Sequence, residues 1–375
     1  MFFTRRCVNT ALRAAVARRG FSSGGGGGGG GGMGGSVLAL AAAGAAGYSI
    51  YELQQQKAVV QDLQVELAGK TNSAFVFVKP HAAHSDAVKA LVEKQLKDKG
   101  IKITGSGEMS AEDIDKNMYI DTHYGAIASK AVKLQPSELN VPEKGQAGFA
   151  KMFGESWKDA LAAGKVYNAK DGAAKLNLDA AGLNAKWSKL NRGKDLIKFG
   201  GGFYCGKVDG IYIMNGFYMS MRAAYCSPGE KIAWYTVQWS NDTLSWADFR
   251  GSVLGATDPA TAVPGSVRRA IYDQYRALGL KAKPDTGDNG VHASASPFEA
   301  LAERVNWLQA DPTADSFGKG LLAAGVSADT IAAWSGDCQV SVAGETAAGK
   351  TMSVFDTLED LDADEVLEKV KKIGN

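Results

Sequence analysis

The stretch Asp288–Leu308, "DNGVHASASPFEALAERVNWL", changes character at Ser296. Before it, "NGVHAS" is short and β-like. After it, Ser296 reads as a helix N-cap, Pro297 suits the first helical position, and Glu299 completes a capping box. Phe298, Leu301, Val305 and Leu308 then recur as one buried stripe. A strand that runs straight into a helix presents His292 with an α-helix behind it. Ser294 lies two residues beyond the imidazole, and Glu303 and Trp307 follow at helical spacing.

Working back along the chain, "AFVFVKP" (74–80) is a buried strand stopped by proline, and "SDAVKALVEKQLKDKG" (85–100) is a helix ending at a glycine. "IKITGSGEM" (101–109) is a second strand. The next segment opens as a helix capped by Ser110. "EKIAWYTVQW" (230–239) is a third strand, followed by a helix ending at Gly255 and another after the proline-punctuated "ATDPATAVPGSVRR" (256–269). Four strands with helices between them imply an α+β fold, an antiparallel four-stranded sheet with helices on one face. A large insertion, about 125–216, interrupts it. It carries two helices and a glycine- and aromatic-rich passage, "FGGGFYCGKVDGIYIMNGFY" (199–218), that suits a hairpin. No GK[ST] follows "GGGF" and no GxGxxG opens a strand–helix unit, so no phosphate loop is read here.

The chain has 375 residues with a formal net charge of +2, which gives no reason to invoke nucleic acid as a partner. Cys7, Cys205, Cys226 and Cys338 form no CxxC pair, so free thiols are expected and structural zinc is not. Residues 1–23 are arginine-rich without an acidic residue and read as a mitochondrial transit peptide, a disordered basic tail being the alternative. Residues 24–35 are a glycine-rich linker. The uncharged segment 36–51 is short for a bilayer span and reads equally as a membrane anchor or as a helix docked on another protein. Residues 52–73 form a polar helical stalk, 74–308 the main domain with its insertion, and 309–375 a C-terminal extension whose "DLDADEVLEKVKKI" ends in a helix.

"FVFVKP" (75–80), "GSVLGATDPATAVPGSVR" (251–268) and "NGVHASASPFEALAERVNW" (289–307) resemble, in order, the signature segments of nucleoside diphosphate kinases. The resemblance covers about 74–125 and 217–308. It implies a ferredoxin-like βαββαβ fold and transfer of a terminal phosphate between nucleoside di- and triphosphates through a phosphohistidine, here His292. An imidazole suits that task because it is uncharged near neutral pH. Glu303 would fix the ring's tautomer, Ser294 would steady that carboxylate, and Tyr124 would lie close to the ring. Lys79 would reach the phosphates and sugar, Arg268 and Thr257 the phosphates, Asn289 a sugar hydroxyl, and Phe217 would stack on the base. Mg2+ would be held largely by the nucleotide, with no protein metal site. The family's oligomers imply a homo-oligomer.

The chain also departs from the pattern. Gly251 stands where the family has a second arginine, and Arg250 precedes it by one residue. His81 replaces an aspartate, Ala293 and Ala295 replace a glycine and an aspartate, and about ten extra residues separate Arg268 from Asn289. His81, His84 and His123 form no set with acids or cysteines at ligand spacing, so surface or helix-face positions are expected for them. Most tryptophans are expected in the core. The reading from a different class is a catalytically weak or inactive kinase-like subunit of a mitochondrial inner-membrane assembly. The apolar segment, the insertion, the extension and the missing arginine would serve partner contacts there.

Overall fold

Thr71–Val78 forms a strand, β1, whose residues are all buried after Thr71. A run such as "AFVFV" satisfies both faces of a sheet only if both are covered. The computed structural model describes residues 54, 56–57, 59–60, 62–200, 202–347 and 350–374. The expected transit peptide, linker and apolar segment lie outside these residues. Among the described residues no helix is long and apolar enough to cross a membrane. Helix precedes β1 through residue 69, so residues 71–73 belong to the sheet and not to the expected stalk.

After β1 come α1 (Asp86–Asp98), β2 (Lys102–Ser110), α2 (Ala111–Lys116) and α3 (Tyr119–His123). The insertion contributes α4 (Glu143–Phe153), α5 (Trp157–Ala162), β3 (Val166–Asn168), α6 (Ala169–Lys175) and α7 (Ala180–Trp187). It continues with β4 (Leu196–Gly200), β5 (Phe203–Val208) and β6 (Ile211–Met214). The main domain resumes with α8 (Tyr218–Cys226), β7 (Lys231–Ser240), α9 (Val267–Gln274), β8 (Val291–Ala293) and α10 (Pro297–Leu308). The C-terminal extension adds α11 (Ser316–Ala323), α12 (Ala328–Trp334), β9 (Gln339–Val342) and β10 (Met352–Ser353). It closes with α13 (Val354–Leu358), α14 (Ala363–Lys369) and β11 (Ile373–Gly374).

The main sheet runs β2–β7–β1–β8 with every neighbouring pair antiparallel, a mixed α+β arrangement. Helices cover both of its faces, not one as the strand–helix alternation suggested. Val76 and Val78 pack with Val88, Val92 and Leu96 of α1 and Ile271 of α9. Phe75 and Phe77 face the other way, onto Ile114, Ile120, Tyr225 and Trp307 from α2, α3, α8 and α10. Alternation along β1 thus splits one apolar run between two cores. Trp157, Trp187, Trp239, Trp246 and Trp334 are buried as expected. Trp234 is half-buried over β2, where a Cβ on Gly107 would come within 2.7 Å of its ring.

The insertion holds a second sheet, ordered β3–β6–β5–β4. Its glycine-rich passage makes two tight reversals, β4–β5 and β5–β6, and β3 adds a parallel edge that the sequence reading did not include. The extension is no loose appendage. Phe317, Leu321, Ile331, Trp334, Val366 and Leu367 share one core with Phe298 and Leu301 of α10 and with Ala68.

Candidate active site

The site grows from the β8–α10 junction. His292 sits opposite Phe77 in the β1–β8 register, and its ring stacks on that phenyl with centroids 4.7 Å apart. Ser296 accepts a hydrogen bond from the Glu299 backbone N–H at 3.1 Å and so starts α10. The expected reciprocal half of the capping box is shifted by one residue, since Glu299 Oε2 accepts from the Ala295 N–H at 3.1 Å. Two turns into α10, Glu303 returns beneath β8. Its Oε1 lies 2.6 Å from His292 Nε2, and its Oε2 accepts from the Ser294 hydroxyl. Ser294 is itself fixed by the Phe75 N–H, which donates to its Oγ at 3.0 Å. The relay of hydroxyl, carboxylate and imidazole read from sequence spacing is therefore assembled, and His292 Nδ1 is left free of it.

His123 is where sequence reasoning failed. It is no surface or helix-face residue but is buried, with Nδ1 3.3 Å from Glu303 Oε1. Its ring stands edge-on to His292 with centroids 4.6 Å apart, and the Trp307 indole N–H donates to it at 3.4 Å. His123 ends α3, which begins after a left-handed break at Met118, whose φ is 54°. The adjacent Tyr124, already expected near His292, was the one available signal. Burial, with the neighbouring His292, lowers the His123 pKa to about 3, so it stays neutral. Burial, with Lys79, Arg268 and Arg250 nearby, likewise holds His292 well below the usual imidazole range. Glu303 is pushed up to about 7 by burial, against the pull of His123 and the Ser294 bond. An uncharged, oriented imidazole is the nucleophilic form.

In front of the ring lies a cavity of about 640 Å³ lined by Lys79, Tyr124, Arg250, Thr257, Arg268, Asn289 and His292, among others. Every one of these was expected from sequence except for how it is held. Lys79 Nζ donates to the Gly287 carbonyl at 2.8 Å. Arg268 is pinned by the Gly255 and Val291 carbonyls at 2.6 and 3.1 Å, which aims it without neutralising it. Asn289 Nδ2 donates to the Thr257 carbonyl at 3.0 Å, while its Oδ1 has no partner and suits a hydroxyl donor.

Arg250 reaches the cavity, but its Nη1 donates to Glu359 at 2.8 Å and to Asp360 at 2.6 Å. Both acids come from the extension, line the same cavity, and were not foreseen. Their turn is anchored by the Asp360 N–H on the Ala295 carbonyl at 3.0 Å, and Asp362, two residues on, accepts from the Trp246 N–H at 2.6 Å. Two carboxylates beside a site for polyphosphate oppose binding electrostatically. The double change Glu359→Gln with Asp360→Asn keeps acceptors for Arg250 and removes both charges. It is expected to lower KM for a nucleoside triphosphate about 3- to 10-fold at low salt, with a smaller gain at high salt. Steady-state kinetics at two ionic strengths check this.

Among solved structures, the chain is similar to nucleoside diphosphate kinase from Encephalitozoon cuniculi at 15% identity and a TM-score of 0.29, covering 64% of this chain and 90% of that one. It is also similar to an NDP kinase from Pyrobaculum aerophilum, at 17% identity and 0.30, covering 63% and 95%. The Borrelia burgdorferi enzyme, solved with vanadate and ADP as a transition-state mimic, gives 13% and 0.28, covering 63% and 86%. No protein-family model matches the chain, and no curated protein matches it. At these TM-scores similarity carries no function across, and the chemistry has to come from the side chains themselves.

Phe217 belongs to a neighbouring cavity of about 660 Å³ that shares Lys79, Tyr124, Met221 and Gly287 with the first. It occupies the N-cap position of α8, half-buried against Trp187 and Tyr204, each at 6.1 Å between centroids. The insertion therefore supports this aromatic from behind. Asn184 of α7 lines the same cavity.

Proposed function

We propose that this protein transfers the terminal phosphate of a nucleoside triphosphate to a nucleoside diphosphate through a phosphohistidine at His292. The observation that carries the reading is the 2.6 Å contact between His292 Nε2 and a buried carboxylate, in a residue that lines a cavity holding three cationic side chains. In the forward step the Nδ1 lone pair attacks the terminal phosphorus, the bond to the bridging oxygen breaks, and the diphosphate leaves with that electron pair. The ring gains a positive charge, and the adjacent Glu303 carboxylate stabilises it as it develops. A terminal phosphate oxygen of the second diphosphate then attacks the same phosphorus, and the imidazole returns neutral. Lys79 and Arg268 offset charge on the transferred group, Asn289 receives a sugar hydroxyl, and Phe217 offers a face to the base. The strand order β2–β7–β1–β8 supports the ferredoxin-like form of the fold.

The donor set fits Mg2+ carried by the nucleotide. The cavity offers cationic groups for phosphate, and the convergent ligand group among the described residues is His123, His292 and Glu303, which the relay already occupies. Bound Mg2+ would supply charge neutralisation on the phosphates.

Incubation with γ-labelled ATP is expected to give an acid-labile, base-stable label on the protein that chases onto added GDP. No label under saturating Mg·ATP would overturn the reading. That outcome would favour the second reading, a catalytically weak or inactive structural subunit, for which the two acids holding Arg250 are the supporting observation. Mitochondrial residence, inner-membrane association and a homo-oligomeric or membrane-complex state belong to the proposal through residues 1–51 and the resemblance alone. Protease protection in intact and outer-membrane-ruptured mitochondria tests the first two, and sedimentation the last.

Lys79 gives a pH signature. Burial, with Arg268 beside it, lowers its pKa to about 8, so the free protein loses this charge as pH rises through that value. Phosphate prefers the charged lysine, so kcat/KM is expected to fall above about pH 8. Lys79→Arg should carry the plateau to higher pH, since guanidinium does not titrate there. An alkaline limb unchanged in Lys79→Arg would remove Lys79 from the phosphate site.

A further inference from the structure

We propose that the insertion makes this site selective for adenine, with Asn184 of α7 as the residue that reads the base. The inference rests on the phosphotransfer reading and on Phe217 as the platform for the base. Stacking alone accepts any base, because every base has a π-face. Selection needs a donor or an acceptor at the base edge. The insertion brings one there. Its helix α7 packs on α8, with Trp187 against Phe217 at 6.1 Å between centroids. The approach is close enough that a Cβ on Gly216, just before Phe217, would collide with the Trp187 ring. Asn184 lies three residues before Trp187 on the same helix, so both side chains lie on the face that α7 turns toward Phe217. Phe217 and Asn184 line one cavity of about 660 Å³.

The charged groups of that cavity are already engaged. Lys79 Nζ donates to the Gly287 carbonyl at 2.8 Å, and Asp285 Oδ1 accepts from the Gly287 and Asp288 N–H groups, each at 2.8 Å. Glu230 lies 3.3 Å from His84 Nε2, and Asp288 lies 3.4 Å from His81 Nδ1. Asn184 is half-buried, and its side chain makes no hydrogen bond among the described residues. The same holds for Ser220, three residues beyond Phe217, but a hydroxyl turns to suit either a donor or an acceptor and so selects little. A carboxamide instead fixes a donor beside an acceptor in one plane. Adenine sets its N6 amino donor next to an acceptor on both free edges, N7 on one and N1 on the other, so it matches the amide whichever edge is presented. Guanine presents two acceptors on its N7–O6 edge, and a pyrimidine covers less of the Phe217 ring.

The test is equilibrium binding of ADP, GDP, CDP and UDP to the full chain in the presence of Mg2+. ADP is expected to bind about 10-fold more tightly than the other three, the scale of one two-point contact to a base edge. Asn184→Leu is close in size and suits a helix, and it should bring the four affinities to within about 2-fold of one another. Asn184→Gln, which keeps the carboxamide, should retain part of the preference. A folding defect would weaken all four alike, so the ratio reports the contact. Equal affinities in the wild type would overturn the proposal, as would preference for another base or an ADP preference unchanged in Asn184→Leu. Equal affinities together with label taken up from γ-labelled ATP would sink the base reader alone. Failure to bind any of the four, with no label, would sink it together with the kinase reading.

Discussion

His292→Ala is expected to take up no label from γ-labelled ATP and to lose phosphotransfer by about 10⁵- to 10⁶-fold, the scale at which removal of a covalent nucleophile is felt. That loss corresponds to about 7–8 kcal/mol of barrier. The residue is half-enclosed on a three-residue strand, stacked on Phe77 and bonded to Glu303, and the fold does not otherwise hang on it. Circular dichroism and thermal unfolding should therefore stay close to wild type, which separates loss of chemistry from loss of structure. Nucleotide binding should also survive, because Lys79, Arg268 and Asn289 are held by backbone carbonyls independent of the ring. Retention of label in the variant would mean that another residue carries the phosphate, and the assignment of Nδ1 would be lost.

Glu303→Gln is expected to cut the phosphorylation rate about 10²- to 10³-fold, the cost of removing one preorganised electrostatic partner. The amide can still accept from Nε2, so ring orientation is kept while the negative charge facing the developing imidazolium is removed. KM should change little, which distinguishes this from a packing defect. Stability should move the other way. Burial raises the Glu303 pKa from about 4.5 to about 7, so the native state binds more protons than the unfolded chain between those values. The contribution of Glu303 to stability therefore falls as pH rises through that window. The glutamine variant, which has no such group, should gain on the wild type from about pH 4.5 to about pH 7. His292 titrates in both proteins and drops out of the comparison to that extent. Denaturant unfolding at pH 5 and pH 8 provides the measurement. A variant less stable at pH 8 than at pH 5, relative to wild type, would contradict the raised carboxyl.

Local signals in the sequence placed every strand of the main sheet, because strands and helices alternate there at short range with clear stops at Pro80, Gly100 and Gly255. The insertion was harder to read. Its β3 is three residues long and pairs in parallel with β6 more than forty positions away, a contact no local pattern announces. The single-faced sheet was wrong for a related reason. Alternation says that Phe75 and Val76 point apart, but not that each direction ends in a core.

The sequence by itself determined the aimed imidazole. His292, Ser294 and Glu303 lie within twelve residues on one strand–turn–helix unit, and the Ser296 cap with Pro297 sets the geometry that closes the relay. Tertiary structure alone decided what surrounds it. His123 enters across a helix break, Glu359 and Asp360 come from a segment more than a hundred residues from Arg250, and His81 meets Asp288 only when β1 pairs with β8. Short-range order follows from backbone sterics and capping. The charge and company of a buried group depend on which distant side chains share its low-dielectric surroundings, and that is fixed only when the cores on both faces of the sheet close.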